Sequence, residues 1–434
     1  MHPLLEEIRH NPLLWLLVFV PVLFACEGLR PDAHILLFFL SILGIAPLAG
    51  LLSRATEAVA ARTGDAVGGL LNATLGNMTE LIITLTALGA GQHQLVKASM
   101  AGVIVTNTLF MLGASFFLGG LKFHTQEYNP LSARLYSGLL MLATVALLVP
   151  SAVSAASYSV PIDLFLRKLS FWLSLILLSG YGLGLLFSLG THREYFGGAE
   201  HADAEEIQWP LWLSLATLAV VTILVALVSE VFVESITDAA PALGMTQAFV
   251  GFIVVGLLGG AAEMVSAFAG ARRNRLDLSV GIALGSATQI ALFVAPVLVL
   301  TSYFIGPYPM DLRFGPGVVI ILFLAVTTIS MLTESGRSAW FVGVLMVMVY
   351  LIFAVALYLM PPRAQEGNQA AAYFRKPGEA LSLLDPELWT VKIQVRETFF
   401  RVKKTKIDRA VVQLLKRGYQ ILPVLRPDGA NGHV

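Results

Sequence analysis

Charge is scarce in this chain of 434 residues: Asp, Glu, Lys and Arg make up only 13% of it. A soluble domain carries roughly 25%. A water-soluble protein of this length has too much surface to cover with so few charges, which excludes an ordinary cytosolic enzyme and a disordered chain. Neither sign dominates, since 28 Lys and Arg stand against 28 Asp and Glu. The balance gives no pull towards a charged partner, and nothing points to nucleic acid. Cysteine is nearly absent. The single Cys26 excludes an internal disulfide framework and any multi-cysteine metal or iron–sulfur site. No nucleophile–base constellation, phosphate loop or nucleotide motif is present, so neither an enzyme nor a resident cofactor is expected.

Apolar residues fill the space that charge leaves. They are 56% of the chain, and the mean hydropathy is +0.77. The 38 glycines and 20 prolines suit membrane helices, where both are commoner than in soluble ones. Eleven apolar runs approach or reach membrane-spanning length, at 13–27, 33–52, 66–90, 95–119, 131–152, 170–190, 210–230, 246–271, 277–304, 316–333 and 338–360. The expected fold is an all-α polytopic membrane protein of about eleven helices, with the lipid bilayer as its solvent. The first run is short and invites a signal-peptide reading. Its leader carries Glu6, Glu7 and Arg9 rather than a basic cluster, and Phe24 sits where a lipoprotein site needs a small residue before Cys26. It is read as a retained span.

The chain divides into an extra N-terminal helix (1–32), a first five-span repeat (33–190), an acidic loop (191–209), a second five-span repeat (210–360) and a linker with a small soluble tail (361–434). Of the 28 Lys and Arg, ten fall on the N-terminal side of the spans, five on the other, and thirteen in the tail. The ten-to-five bias places the N-terminus in the cytoplasm, and an inner cell membrane is the expected location. Parity then puts the tail outside. In the tail, WTVKIQVRETFFRV alternates like a strand and KIDRAVVQLLKRGYQ has helical spacing. The loop holds Glu194, Glu200, Asp203, Glu205 and Glu206, which read as a solvated acidic segment or a weak cation-sensing site; His192 and His201 are most simply solvated. Arg272, Arg273 and Arg275 read as a topology anchor. No motif sets the oligomeric state; a homo-oligomer is compatible.

An internal repeat carries the chemistry. Gly68–Leu81 and Gly251–Met264 superpose at an offset of 183 (263 − 80), which lays Gly68 on Gly251, Gly76 on Gly259 and Glu80 on Glu263. A second apolar run follows each, at Ala98–Asn107 and Leu278–Ser286. Because each repeat has an odd number of spans, five, its two copies are inverted, as in repeat-built transporters. A carboxylate at membrane depth costs at least ~2.5 kcal/mol to insert, so it usually faces a cavity and works there. The glycines before each Glu predict a broken helix whose freed carbonyls can face a cation. The polar candidates at that depth are all oxygen donors: Glu80, Glu263, Asn77, Thr79, Asn107, Ser286, Thr288 and Gln289. With no Cys or His among them, soft metals are disfavoured and a hard divalent cation such as Ca²⁺ is favoured. Two close carboxylates in a low dielectric hold protons when no cation is bound. The physics points to exchange of a cation for protons.

GGLLNATLGNMTELIITLTAL, SMAGVIVTNTLFMLGASFFLGG and DLSVGIALGSATQIALFVAPVLVL resemble the repeat motifs of the cation/proton exchangers, the Ca²⁺/H⁺ antiporter branch of the Ca²⁺:cation antiporter superfamily. The resemblance covers about 33–360. It implies eleven helices with inverted five-helix repeats, an acidic segment between the halves, and proton-driven Ca²⁺ export. The family's motif glutamates fall on Glu80 and Glu263, its asparagine on Asn77, and its Ser and Gln of the second repeat on Ser286 and Gln289. The chain departs from the usual second motif, with Gly260 in place of Asn and Met264 in place of His; Met78 replaces a common Ala in the first.

Glu57 and Glu230 follow the first helix of each repeat at matching places and are candidate ion or proton relays, or plain helix-end charges. Glu234 and Asp238 read either as charges that attract cations to the outer mouth or as plain loop charges. Same-fold Na⁺/H⁺ exchange is the main alternative, and a cation channel a more distant one, since no filter loop is visible. No repeat element lies beyond residue 360, so deletion from Arg363 onward is expected to leave transport intact. A stably folded truncation without activity contradicts this.

Overall fold

The structure is a computed structural model. It describes residues 7–9, 11–63, 65–155, 162–192 and 209–359, and in the tail 391–395 and 398–402. The acidic residues of 193–208 with His201, and the expected tail helix, lie outside the described residues. The chain forms two compact units, Met1–Pro361 and Pro362–Val434.

The first unit is helical. In chain order it comprises α1 (Pro12–Leu29), α2 (His34–Ala60), α3 (Asp65–Leu75), α4 (Met78–Gly89), α5 (His93–Phe123), α6 (Pro130–Ala155), α7 (Leu164–Thr191), α8 (Leu211–Ala242), α9 (Gln247–Gly259), α10 (Ala261–Arg272), α11 (Leu276–Thr301), α12 (Pro316–Leu332) and α13 (Trp340–Leu359). Eight of these are long and apolar enough to cross a membrane among the described residues, and α9 with α10, bent by 56°, makes a ninth. All eleven expected runs fall on helices, but the count of eleven crossings is not established. The third run is split into pieces of 11 and 12 residues, and the 17 residues of α12 reach only about 25 Å, against a hydrocarbon core of about 30 Å.

Two boundaries differ from expectation. The runs ending near 52 and 230 belong to helices that continue to Ala60 and Ala242. Glu57, Glu230, Glu234 and Asp238 are therefore on helices, not in loops. Hydropathy marks the lipid-matched length. The helix itself ends only where its backbone bonds run out, and at 1.5 Å per residue these two extend well past the bilayer core.

Contacts between helix ends sort into two faces. On the face where α2 ends, Arg62 Nη2 donates to Trp209 O (2.9 Å) and Gln126 Nε2 to Ala271 O (2.9 Å). A short antiparallel pair, β1 (Thr125–Glu127) with β2 (Arg337–Ala339), lies on this face too. On the opposite face, Gln92 Nε2 donates to Val233 O (3.1 Å), and Lys97 pairs with Asp311. Hence α3–α4 enters from one face and α9–α10 from the other. The two broken segments run in opposite directions, as an inverted repeat requires.

Long α2 and α8 lie along one another, with Phe38 and Phe232 stacked at 5.6 Å. α9 packs on α5 so closely that a Cβ on Gly102 would lie 2.2 Å from Phe252 O; only glycine permits that approach. Large apolar side chains on the outside, such as Trp172, Trp212 and Ile352, are exposed as lipid-facing residues are. In the second unit, β3 (Val391–Val395) pairs antiparallel with β4 (Thr398–Val402), matching the alternation read there.

The loop 302–315 is strapped down on its face. Leu312 N donates to Ser170 Oγ (2.9 Å) and Phe314 N to Ser151 Oγ (3.0 Å). Burial works against the charge of Asp311, but the Lys97 ammonium, with help from the Arg313 backbone amide, holds its carboxyl below the ordinary carboxylate value. A depressed value means that the stability from this carboxylate is present at neutral pH and lost only as pH falls through and below the ordinary range. Asp311→Asn leaves the nearly buried Lys97 charge uncompensated and is expected to destabilise the chain by about 3 kcal/mol at neutral pH. The penalty should fade towards acid pH; an unchanged melting temperature in detergent contradicts this.

Candidate cation site

Each broken segment sets a carboxylate at the start of a helix. α3 ends at Leu75, the chain turns through Gly76 and Asn77, and Glu80 is the third residue of α4. α9 ends at Gly259, the chain turns at Gly260 (φ −75°, ψ 3°), and Glu263 is the third residue of α10. Glycine at each break relaxes the backbone there. The first-turn amides and the positive end of the helix dipole then face the site from both halves. Inverted entry brings the two helix starts together. A Cβ on Gly259 would lie 2.6 Å from Glu80 Cγ, so Glu80 reaches across to the break of the other half. Glu80 and Glu263 lie within electrostatic reach of each other, and Glu57 also acts on Glu263.

α5, α11 and Asn77 in the first break supply the amides and the hydroxyl. Asn77 Nδ2 donates to Gln289 Oε1, and Ser286 Oγ donates to Asn77 Oδ1 (2.7 Å). Asn107 Nδ2 donates to Ser286 Oγ (2.9 Å), and Glu263 makes a hydrogen bond with the same hydroxyl. Both donor helices have a wide, i→i+5 turn at this level, over Thr106–Met111 and Ile290–Val294. Such bulges rotate the side chains that follow and are common at functional sites. Asn107 lies inside the first bulge and Gln289 at the mouth of the second.

Six of the expected site residues thus converge: Glu80, Glu263, Asn77, Asn107, Ser286 and Gln289. Thr79 is buried beside Glu80, and Thr288 Oγ1 is committed to Leu284 O of its own helix (2.7 Å). Glu57 sits near the end of α2, bonded by Ser53 Oγ (3.2 Å) and 3.6 Å from Arg54 Nη1; Glu230 is exposed on α8. Sequence reasoning missed Met111, whose methyl, with that of Met264, lies within 3.4 Å of where a Cβ on Gly260 would stand. A methionine in an apolar run gives no signal of its own.

Three buried oxygens in this region have no hydrogen-bond partner: Glu80 Oε1, Glu263 Oε2 and Asn107 Oδ1. Leaving such an acceptor unsatisfied costs about 1–3 kcal/mol, more if charged. They come from three different helices. The chemistry that satisfies them together is a proton on each carboxylate or one hard cation between them. Among the described residues no group of three or more His, Cys, Asp and Glu gathers, so amides and hydroxyls must complete any coordination shell.

The family model described as sodium/calcium exchanger protein matches residues 33–190 and 213–359. The Ca(2+)/H(+) antiporter of Synechocystis sp. is 39% identical over 362 residues, 80% of this chain and 96% of that protein. The Ca(2+)/H(+) antiporter ChaA of Bacillus subtilis is 38% identical over 328 residues, 75% of this chain and 92% of that one. Among solved structures, native YfkE aligns with a TM-score of 0.70 and 34% identity, covering 81% of this chain and all of that one. The H+/Ca2+ exchanger CAX aligns at 0.59 over 85% of this chain and 95% of that one, and at 15% identity it speaks for the fold alone. On the strength of matches that run through both broken segments, the chain is a multi-pass membrane transporter that belongs to the sodium/calcium exchanger family.

Proposed function

We propose that the chain is a secondary active transporter that exchanges Ca²⁺ for H⁺ by alternating access and exports Ca²⁺ from the cytoplasm. The observation that carries this reading is the pair of buried carboxylates at the starts of two inverted half-helices, each with one unpartnered oxygen and with a third on Asn107. In this reading 33–190 and 210–360 are the exchanger halves, 1–32 is an added helix, and 361–434 lies outside the transport unit. The relatives named Ca(2+)/H(+) antiporter support the ion pair Ca²⁺ and H⁺.

Hydrogen-bond arithmetic gives a mechanism. Ser286 has one hydroxyl hydrogen. With Glu263 ionised, that hydrogen serves either Glu263 or Asn77 Oδ1, not both. With Glu263 protonated, the carboxyl donates to Ser286, Ser286 donates to Asn77, and Asn77 donates to Gln289. Protonation thus supplies a donor for each link from Glu263 to Gln289, whereas the ionised pair needs a divalent cation to offset its charge. Proton and Ca²⁺ therefore compete for one site. Glu57, beside Arg54 and within reach of Glu263, can pass protons on its face; Glu230, exposed on α8, is the second relay candidate. Same-fold Na⁺/H⁺ exchange rests on one observation, that Gly260 brings no side-chain oxygen of its own to the second break and has two methionine methyls beside it.

Glu80→Gln and Glu263→Gln each leave Ca²⁺ with an uncompensated charge. By analogy with a broken buried ion pair, that costs about 3 kcal/mol, and Ca²⁺/H⁺ exchange in vesicles should fall by roughly 100-fold or more. Transport at the parent rate by a variant removes that residue from the site. For orientation, the N-terminus and the loop 191–209 are assigned to the cytoplasm of a cell with this protein in its inner membrane. A cysteine at Glu200 in a Cys26→Ala background should then resist a membrane-impermeant thiol reagent in intact cells. Labelling there inverts the topology.

A further inference from the structure

Net neutrality conceals a local excess of positive charge where two helices end side by side. Gln126 Nε2 of β1, just past the end of α5, donates to Ala271 O of α10 (2.9 Å) and to Asn274 Oδ1 (3.0 Å). A Cβ on Gly119 of α5 would lie 3.0 Å from Ala271 O, so the two helices are in close contact there. Asn274, with φ +60°, then turns the chain back into α11. The ends of α5 and α10 are thereby held together, and they present Lys122, Arg272 and Arg273, all exposed.

Helix C-termini favour such side chains, and Lys122 Nζ does donate to Arg272 O (3.2 Å). That uses one of the three donors of the ammonium group. The guanidinium groups of Arg272 and Arg273 have no hydrogen bond or ion pair among the described residues. The described carboxylates of this face are engaged elsewhere. Glu127 pairs with Arg337 (2.8 Å), Glu334 with Arg134 (3.3 Å), and Asp277 accepts from the Asn129 amide.

The patch borders the apolar perimeter. Gly120, two residues before Lys122, leaves no room for a Cβ against the backbone of Trp340 at the start of α13. Trp340 and Phe341 are exposed, with ring centroids 5.7 Å apart, and such aromatic residues mark the headgroup level of a membrane protein. From Phe341 a strip of exposed apolar side chains, Leu345, Met348, Ile352 and Val355, follows one face of α13 at helical spacing.

We propose that Lys122, Arg272 and Arg273 bind the phosphate of an anionic phospholipid, whose acyl chains lie along the exposed strip of α13. The planar fork of arginine matches phosphate oxygens, and the Lys122 ammonium adds a point charge. A lipid rather than a free ion is the occupant because the charged site adjoins an aromatic pair and an apolar strip, and a lipid satisfies both. α10 runs unbroken from Ala261 to Arg272, so the headgroup holds the helix that carries Glu263, nine residues away (272 − 263). The proposal does not depend on which ion is carried.

The test uses the purified full chain, delipidated in a neutral detergent, with the rise in melting temperature titrated against dioleoyl phosphatidylglycerol. This lipid should stabilise the parent, and dioleoyl phosphatidylcholine should not. Lys122→Gln, Arg272→Gln and Arg273→Gln together should raise the half-effective lipid concentration by ~10-fold or more, since each basic residue at a lipid surface contributes about fivefold. Arg134→Gln with Arg337→Gln, which removes the paired arginines of the same face, should change it by less than ~3-fold. An unchanged midpoint in the triple variant, an equal loss in the control pair, or equal stabilisation by phosphatidylcholine or by inorganic phosphate alone overturns the proposal. So does a parent that responds to neither lipid while the triple variant melts lower without lipid, since the acidic loop 191–209 would then be the occupant. If the triple variant does not fold, Arg273→Gln alone decides: a midpoint ~3-fold weaker or more supports the site, and the parent value rejects it.

Discussion

Two carboxylates in a low-dielectric interior cannot both remain charged without a counter-charge, and the rest of the structure follows from that constraint. Glu80 and Glu263 are separated by 182 intervening residues, yet inverted repeats deliver them to the same place from opposite faces. Breaking each helix just before its glutamate turns a helix start towards the pair, so backbone dipoles moderate the charge before any ligand arrives. The Asn77, Ser286 and Gln289 chain then has a donor for each link when Glu263 is protonated and is one donor short when it is ionised. Protons and a divalent cation become alternatives, and coupling between them is a consequence of the electrostatics.

The same constraint bears on alternating access. At the repeat offset, Gly102 corresponds to Gly285 (285 − 102 = 183). Gly102 is pressed against the backbone of α9, whereas a Cβ on Gly285 would come no nearer than 3.7 Å to Tyr136 OH. Sequence symmetry is thus paired with asymmetric packing: α9 lies tight on α5, while the described residues of α3 pack mainly on α2. A repeat-built carrier held in one of its two arrangements has this property.

Much of this was legible in the sequence because the signals were local or repeated. Scarce charge and long apolar runs gave the class, and the matched Gly–Glu spacing gave the breaks and their inversion. The oxygen donors were legible because few polar residues interrupt these runs. Helix ends were not. Arg54, Glu57 and Glu230 interrupt the hydropathy without interrupting the backbone, so α2 and α8 were read short. Glu57 acting on Glu263 across the fold, and the methyls of Met111 and Met264 gathered at Gly260, depend on three-dimensional proximity that no spacing encodes. The wide turns at Thr106–Met111 and Ile290–Val294 were equally silent, because a single extra residue per turn does not alter an apolar pattern.

The central claim is that a proton gradient alone drives Ca²⁺ through this site. It is tested most directly with the purified full chain in proteoliposomes, voltage clamped at zero by potassium and valinomycin, with an imposed pH gradient and no sodium. The account predicts Ca²⁺ uptake into acid-loaded vesicles that stops when the pH gradient is collapsed. Uptake that ignores the pH gradient and follows an imposed voltage, or that requires sodium in place of protons, would contradict it.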